Sequence, residues 1–306
     1  MSTPGAVPRA GRSTVEVPGA TPWRRGKVRD VYDLGPRLLV VATDRLSAYD
    51  SILPTPIPDK GRILTAMSAW WFTTLAAAAP HHLLSTDRAD FPAPFRDVAE
   101  LDGRAMLCRR AERIDIECVV RGALTGAGWR EYRAHGTLHG APLPKGLADG
   151  APLDPPVFTP TTKAEEGHDE PIPHGALAGI VGAERARALE ERSLALFAEG
   201  RARAAEAGLV LADTKFEFGF VDGRLTLIDE LLSPDSSRFW DAGAYAAGRL
   251  ESFDKQLVRD WLDRSGWDHV PPAPALPADV VVRTRARYLE AARRLLGPDA
   301  LPELEA

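Results

Sequence analysis

The stretch "LADTKFEFGF" (211–220) sets Asp213, Lys215 and Glu217 at every second position, with Thr214, Phe216 and Phe218 between or beside them. Side chains of a strand alternate faces, so a strand here places the three charges on one face and the two phenylalanines on the other. The phenylalanines mark a buried face. The charged face is either a solvated strand surface or a nucleotide- and metal-binding surface. "RLTLIDELL" (224–232) follows after Asp222-Gly223, a hairpin signal, and holds Asp229 and Glu230 in an apolar run where solubility does not require them. A two-residue turn at Asp222-Gly223 opposes Glu217 to Ile228. A turn longer by one residue, taking in Arg224, opposes Glu217 to Asp229. In the second register two carboxylates meet across the ladder and repel unless a cation lies between them. Mg²⁺ takes one or two carboxylates plus phosphate oxygens, so the metal reading predicts Glu217 facing Asp229.

Other segments carry chemistry with less force alone. "WRRGKVRDVYDLG" (23–35) sets Gly26 before Lys27 at a turn. Such a hairpin covers nucleotide phosphates with backbone N–H groups and a lysine, or is an ordinary surface turn. It is not a Walker A loop. "ATDRLSAYDSILPTPIPDKG" (42–61) gathers Asp44, Arg45, Asp50, Asp59 and Lys60 after an apolar strand, as a ligand edge or a solvated loop does. "VVRGALTGAGW" (119–129) has Arg121 followed by glycines at 122, 126 and 128, and "SPDSSRFW" (233–240) offers Arg238. Guanidinium groups beside flexible backbone suit carboxylate or phosphate. His168, with Glu165, Glu166 and Asp169, matches no zinc spacing and reads as a solvated loop histidine. No G-x-S-x-G elbow or Ser-His-Asp set is present, which disfavours a hydrolase of that type.

The elements that must position these residues are a mixture. "RLLVVATD" (37–44) reads as a strand, 63–79 as a helix closed by Pro80, and 105–122 as two strands with "IECVV" the more buried. Residues 136–178, rich in Gly and Pro, read as a long ordered loop. Residues 183–208 read as an amphipathic helix ending at Gly208, which feeds the 211–220 strand. Further helices are expected over 252–264 and 279–296. Hairpins alternate irregularly with helices, so the fold class predicted is α+β.

The composition is that of an ordinary globular protein: 306 residues, 44% apolar and 26% charged. A net charge of −5 gives no broad basic field, so nucleic acid is not an expected partner. No apolar run reaches transmembrane length and residues 1–22 lack a signal core, so no membrane partner is expected and 1–22 read as a flexible lead-in. Cys108 and Cys118 form no metal or disulfide pattern and are expected as buried thiols in a reducing cytoplasm.

Taken in order, "RGKVRDVYDLG", "VATDRLSAYDSILPTPIPDKG", "ECVVRG", "FTPTTKAEEGHDE", "LADTKFEFG", "LIDELLSPDSSRFW" and "SFDKQLVRDWL" resemble the SAICAR synthetase (phosphoribosylaminoimidazole-succinocarboxamide synthase) family. They run over about 23–290. The resemblance implies a two-lobed, ATP-grasp-like fold with the nucleotide between the lobes. Its N-terminal lobe would span 23–116; hinge and C-terminal lobe would span 117–306. It implies ligation of L-aspartate to the carboxylate of CAIR (5-amino-4-carboxyimidazole ribonucleotide), giving SAICAR, ADP and phosphate in purine biosynthesis. ATP, CAIR and L-aspartate would be the partners, Mg²⁺ the cofactor, and a monomer or homodimer the assembly.

The same resemblance assigns roles. Gly26 and Lys27 would cover the ATP phosphates. Backbone at "ECVV", including Glu117 and Val119, would hold adenine. Lys163 would contact the nucleotide, with Asp169 supporting its loop, and Glu217 and Asp229 would hold Mg²⁺. Asp213 and Lys215 would form the catalytic pair where ribotide and phosphoryl group meet. Arg121 and Arg238 would bind the anionic groups of CAIR and aspartate, with Asp50 and Lys60 at the substrate edge. Two positions depart from the family pattern: Ala127 stands where a serine is usual, and Ala123 where an aromatic is common. The missing hydroxyl leaves a second reading, a paralogue that joins aspartate to a related azole-carboxylate ribotide in nucleoside-antibiotic synthesis.

Overall fold

The computed structural model describes residues 11–163, 169–173 and 175–304. His168, Glu165 and Glu166 lie outside the described residues. Two antiparallel sheets organise the chain. The first runs Arg24–Arg25, Arg29–Asp33, Arg37–Ala42, Ala105–Arg109, Leu83–Ser85 in spatial order. The second runs Ala151–Phe158, Glu112–Leu124, Leu209–Val221, Arg224–Ile228, with Thr161–Thr162 and Ser237–Asp241 paired to its two long central strands. Helices Lys60–Thr74 and Ala278–Leu296 pack against each other, and Ala183–Glu206 packs on the Leu209–Val221 strand.

The long strand shows why its sequence folds this way. Phe216 and Phe218 are buried in the main core with Phe197, Leu196 and Leu211. The charged face is not solvent either: Asp213 is 6% exposed and Glu217 3%. Buried charge at this level requires partners, which separates a site from a solvated face.

The hairpin register differs from the metal reading. Asp222 and Gly223 both have positive φ, at 50° and 73°, as the two central residues of a tight primed turn need. Val221 therefore pairs with Arg224 and Glu217 with Ile228. The carboxylate opposite Glu217 comes from the other neighbour, Glu117 of Glu112–Leu124. Asp229 lies just beyond the strand, in the left-handed region at φ 68°.

The described part of 136–178 holds strands that the loop reading did not expect. It holds a small hairpin, Thr137–Leu138 with Ala141–Pro142, and the eight-residue strand Ala151–Phe158. Prolines 152, 155 and 156 mask that strand in the sequence. They are tolerated because it is a sheet edge whose register shifts between Pro152 and Val157. Residues 11–22, read as a flexible lead-in, pack against the first sheet: Val15 and Val17 are buried with Tyr32, Leu39 and Phe95, and the Arg12 N–H donates to Asp44 at 2.7 Å. Among the described residues no helix is long and apolar enough to cross a membrane. Both cysteines are buried and free.

Candidate active site

The alternating charges of the long strand divide a cleft into two clusters. At one end, Asp213 Oδ2 accepts from Arg121 Nη1 at 3.2 Å and from Arg238 Nη1. Arg121 also donates through Nε to Thr159 Oγ1 at 3.1 Å. Arg238 lies 3.8 Å from Asp254, which Arg259 holds at 3.2 Å. Burial lowers the Arg121 pKa against the pull of Asp213; for Arg238 burial is outweighed by Asp213 and Asp254, and the pKa rises. Arg121, Asp213, Arg238, Asp254 and Arg259 line a cavity of about 170 Å³ together with Ala127, Lys215, Asp235, Ser236 and Lys255.

At the other end, Glu217 is clasped by two lysines. Lys163 Nζ contacts Oε2, and Lys215 Nζ contacts Oε1 while donating to Glu117 Oε1 at 2.9 Å. Lys215 is also 3.9 Å from Asp229 Oδ2. Burial opposes charge on both partners, but Lys215 and Lys163 hold Glu217 well below the carboxylate range, and Glu217, Glu117 and Asp229 push Lys215 up. For Glu117 burial dominates, and its pKa is raised.

Arg29 closes this cluster from the first sheet. Its guanidinium pairs with Asp229 at 2.7 Å and Glu230 at 3.1 Å, and Ser233 Oγ donates to Glu230 at 2.5 Å. Burial opposes the Arg29 charge, but Asp229, Glu230 and Glu217 raise its pKa overall. The Asp229 carbonyl accepts from His82 Nε2 at 3.1 Å. Burial pushes the His82 pKa down to about 4, so the ring is neutral.

Asp213, Lys215, Glu217, Arg121 and Arg238 are thus brought together on one cleft, and Lys163, Glu117 and Asp229 join them. Three expectations change. The 117–120 backbone runs mid-strand between paired neighbours, and the Val119 carbonyl already accepts from the Thr159 N–H at 2.8 Å. Its groups are committed to the ladder, so Glu117 enters through its side chain and Val119 through the cavity wall, rather than as an adenine-holding backbone. Lys60 is 0% exposed and pairs with Asp235 at 2.5 Å, so it braces a wall residue instead of offering a substrate contact. Asp50 lies away from the cavity wall, 2.5 Å from Lys27, and both are half-exposed. Gly26 and Lys27 stand at the tip of the 24–33 hairpin, where the Gly26 N–H donates to the Arg29 carbonyl at 2.7 Å.

Arg29, Asp254, Lys255 and Arg259 are among the site residues that sequence reasoning missed. Arg29 opens the strand two positions after Lys27, but its partner Asp229 lies 200 residues away. Asp254, Lys255 and Arg259 sit in "SFDKQLVRDWL", a segment that offers no spacing signal of its own.

The oxygens of Glu217 and Asp229 suit Mg²⁺ by type, and around Glu217 three cations (Lys163, Lys215, Arg29) face four carboxylates (Glu117, Glu217, Asp229, Glu230). Among the described residues no preformed cage of three metal-ligating side chains exists. Mg²⁺ usually takes one or two carboxylates and completes its shell with phosphate oxygens and water.

A family model described as SAICAR synthetase matches residues 22–274. The chain belongs to the SAICAR synthetase family. A phosphoribosylaminoimidazole-succinocarboxamide synthase from Syntrophobacter fumaroxidans is 50% identical over 285 residues, covering 92% of this chain and 95% of the relative. One from Salinispora arenicola is 51% identical over 275 residues, covering 89% and 96%. The solved SAICAR-synthase of Saccharomyces cerevisiae, complexed with SAICAR, is similar at TM-score 0.82 and 38% identity over 92% of this chain and 97% of that one. A type-2 SAICAR synthetase in complex with ADP, at 23% identity and TM-score 0.66, shares the fold. The mixed α+β architecture agrees with the class expected from the sequence.

Proposed function

We propose a division of labour along the Asp213–Glu217 strand for the reaction of this SAICAR synthetase, the ATP-dependent ligation of L-aspartate to the CAIR carboxylate. The observation that carries it is Lys215, which sits between a guanidinium-lined cavity and a lysine–carboxylate cluster on one strand face. A carboxylate is a poor electrophile. Transfer of the γ-phosphoryl of ATP to the CAIR carboxylate makes an acyl phosphate, and attack by the aspartate amine expels phosphate.

In this reading Arg121 and Arg238 orient the anionic groups of CAIR, and Asp213 fixes both guanidinium planes. Lys215 stabilises charge on the transferring phosphoryl, and Lys163 and Arg29 neutralise the phosphates. Glu217 and Asp229 would hold Mg²⁺, which when bound supplies charge neutralisation on the phosphate oxygens. Lys27, at the hairpin tip, swings from Asp50 to the nucleotide. In this reading the two sheets are two lobes that divide between Arg109 and Glu112, not at residue 117, which lies inside a strand of the second sheet, and the nucleotide sits between them. Two free buried thiols support a cytoplasmic location.

ADP release measured with CAIR, with and without L-aspartate, tests the reading. Release should depend on both substrates, and ¹⁸O placed in the CAIR carboxylate should appear in the released phosphate. Unlabelled phosphate would rule out the acyl phosphate.

A further inference from the structure

Amide formation leaves a proton problem that the residues described so far do not solve. An α-amino group is an ammonium at neutral pH and has no lone pair for attack. Every carboxylate on the cavity wall is already engaged with cations: Asp213 by Arg121 and Arg238, Asp254 by Arg259 and Arg238, Asp235 by Lys60. Asp235 also accepts from the Tyr288 hydroxyl at 3.2 Å. Such carboxylates are weak bases. Lys215 is surrounded by carboxylates that keep its proton on.

Lys255 is placed differently. It precedes the helix Gln256–Arg264 and lines the cavity, with its side chain only 16% exposed. Its nearest carboxylate oxygen, Asp235 Oδ1, is 3.9 Å away, beyond hydrogen-bond reach, and that carboxylate is already spent on Lys60 and Tyr288. Among the described residues the Lys255 ammonium donates no hydrogen bond. The charged groups that act on it are Asp235 and Glu230, which favour its proton, and the cations Arg259 and Lys60, which oppose it. Burial, with Arg259 and Lys60 adding to it, lowers the Lys255 pKa despite Asp235.

We propose that Lys255 is the base that takes the proton from the aspartate ammonium before the amine attacks. The inference rests on the acyl-phosphate reading above. Neutral Lys255 Nζ accepts one proton from the ammonium of aspartate. The freed nitrogen lone pair forms the C–N bond, the C–O bond to phosphate breaks, and its electron pair leaves with phosphate. The second nitrogen proton passes to solvent or to the departing phosphate, and Lys255 returns its own proton to water as products leave.

The test compares wild type with Lys255→Arg, which keeps the positive charge but does not give it up at neutral pH. Two nucleophiles are offered with CAIR and ATP: L-aspartate, and hydroxylamine, an amine already unprotonated at neutral pH. The variant should lose about 100-fold or more in kcat with aspartate, the usual worth of a general base. It should keep hydroxamate formation within about threefold of wild type, which also shows that it folds and phosphorylates CAIR. In wild type the aspartate rate should fall on acidification through the lowered Lys255 value, and in the variant this limb should move to higher pH. Equal losses with both nucleophiles, or a rise only in KM for aspartate with an unmoved pH profile, would overturn the assignment. A wild type that yields no hydroxamate counts against the acyl phosphate instead, and the acid limb of the aspartate reaction then decides on Lys255 alone.

Discussion

Replacing Lys215 with methionine keeps most of the side-chain length and removes one charge. That charge serves Glu117 at 2.9 Å, Glu217 in direct contact and Asp229 at 3.9 Å. Taking one partner from a buried ion pair costs about 3–5 kcal/mol, because the other is left uncompensated. Lys163 still holds Glu217 and Arg29 still holds Asp229, so the lower figure, ~3 kcal/mol, is the appropriate one here. At roughly 2 °C per kcal/mol for a chain of this size, Tm should fall by ~6 °C at pH 8. The loss should depend on pH. In wild type Glu217 is held below its unfolded value, so its contribution is complete above about 4.3 and is lost only as the pH falls through the lowered value. In the variant Glu117, already raised by burial, rises further. A carboxylate raised in the fold binds its proton more readily folded than unfolded, so acidification toward about 4.3 restores stability. Melting curves at pH 8 and pH 5.5 should therefore show the gap between the two proteins closing. ADP release should drop by about 10³-fold, the scale for losing one charge-stabilising donor. A Tm within 1 °C of wild type at pH 8, or a gap that does not change with pH, would refute the view that Lys215 holds repelling carboxylates together.

Three further substitutions separate the cavity from the scaffold. Arg238→Lys exchanges a planar fork between Asp213 and Asp254 for a point charge, and KM for CAIR should rise about tenfold, ~1.4 kcal/mol, with Tm nearly unchanged. Ala127→Ser adds a hydroxyl to the cavity wall, and KM for CAIR should fall about fivefold, ~1 kcal/mol for one new hydrogen bond. Gly219→Ala places a Cβ 2.7 Å from the Glu112 carbonyl oxygen and 3.0 Å from Ala111 Cβ, so urea unfolding should show a loss of about 1–3 kcal/mol while KM for CAIR stays put.

The long strand was readable because alternation is a local property: "DTKFEF" needs no partner to say which residues share a face. Its register was not, because one residue of turn length moves every pairing and both turns are compatible with Asp222-Gly223-Arg224. Two successive positive φ values decided it. The Ala151–Phe158 strand was hidden because proline argues against a strand unless the strand is known to be an edge, which is tertiary information. Arg29, Lys255 and Arg259 were unreadable for a related reason. A cation in a sequence is ordinary until its carboxylates are found, and Asp229 lies 200 residues from Arg29. Lys60 misled in the opposite direction: it sits in a polar loop segment yet is the most deeply buried lysine of the site.

The geometry of one strand also explains why the chemistry is laid out in this order. Successive residues on one face are about 6.6 Å apart, so Asp213 and Glu217 stand about 13 Å apart with Lys215 midway. Asp213 gathers two arginines and Glu217 gathers two lysines, one of them Lys215 itself. The strand therefore fixes a guanidinium-lined end and a lysine-lined end at set separation, with Lys215 between them. A phosphoryl group passing from one to the other would never leave the reach of Lys215. Because Glu117 faces Glu217 from the neighbouring strand, the repulsion between these two carboxylates is what Lys215 relieves, and the cation midway along the path is held there by the sheet register itself.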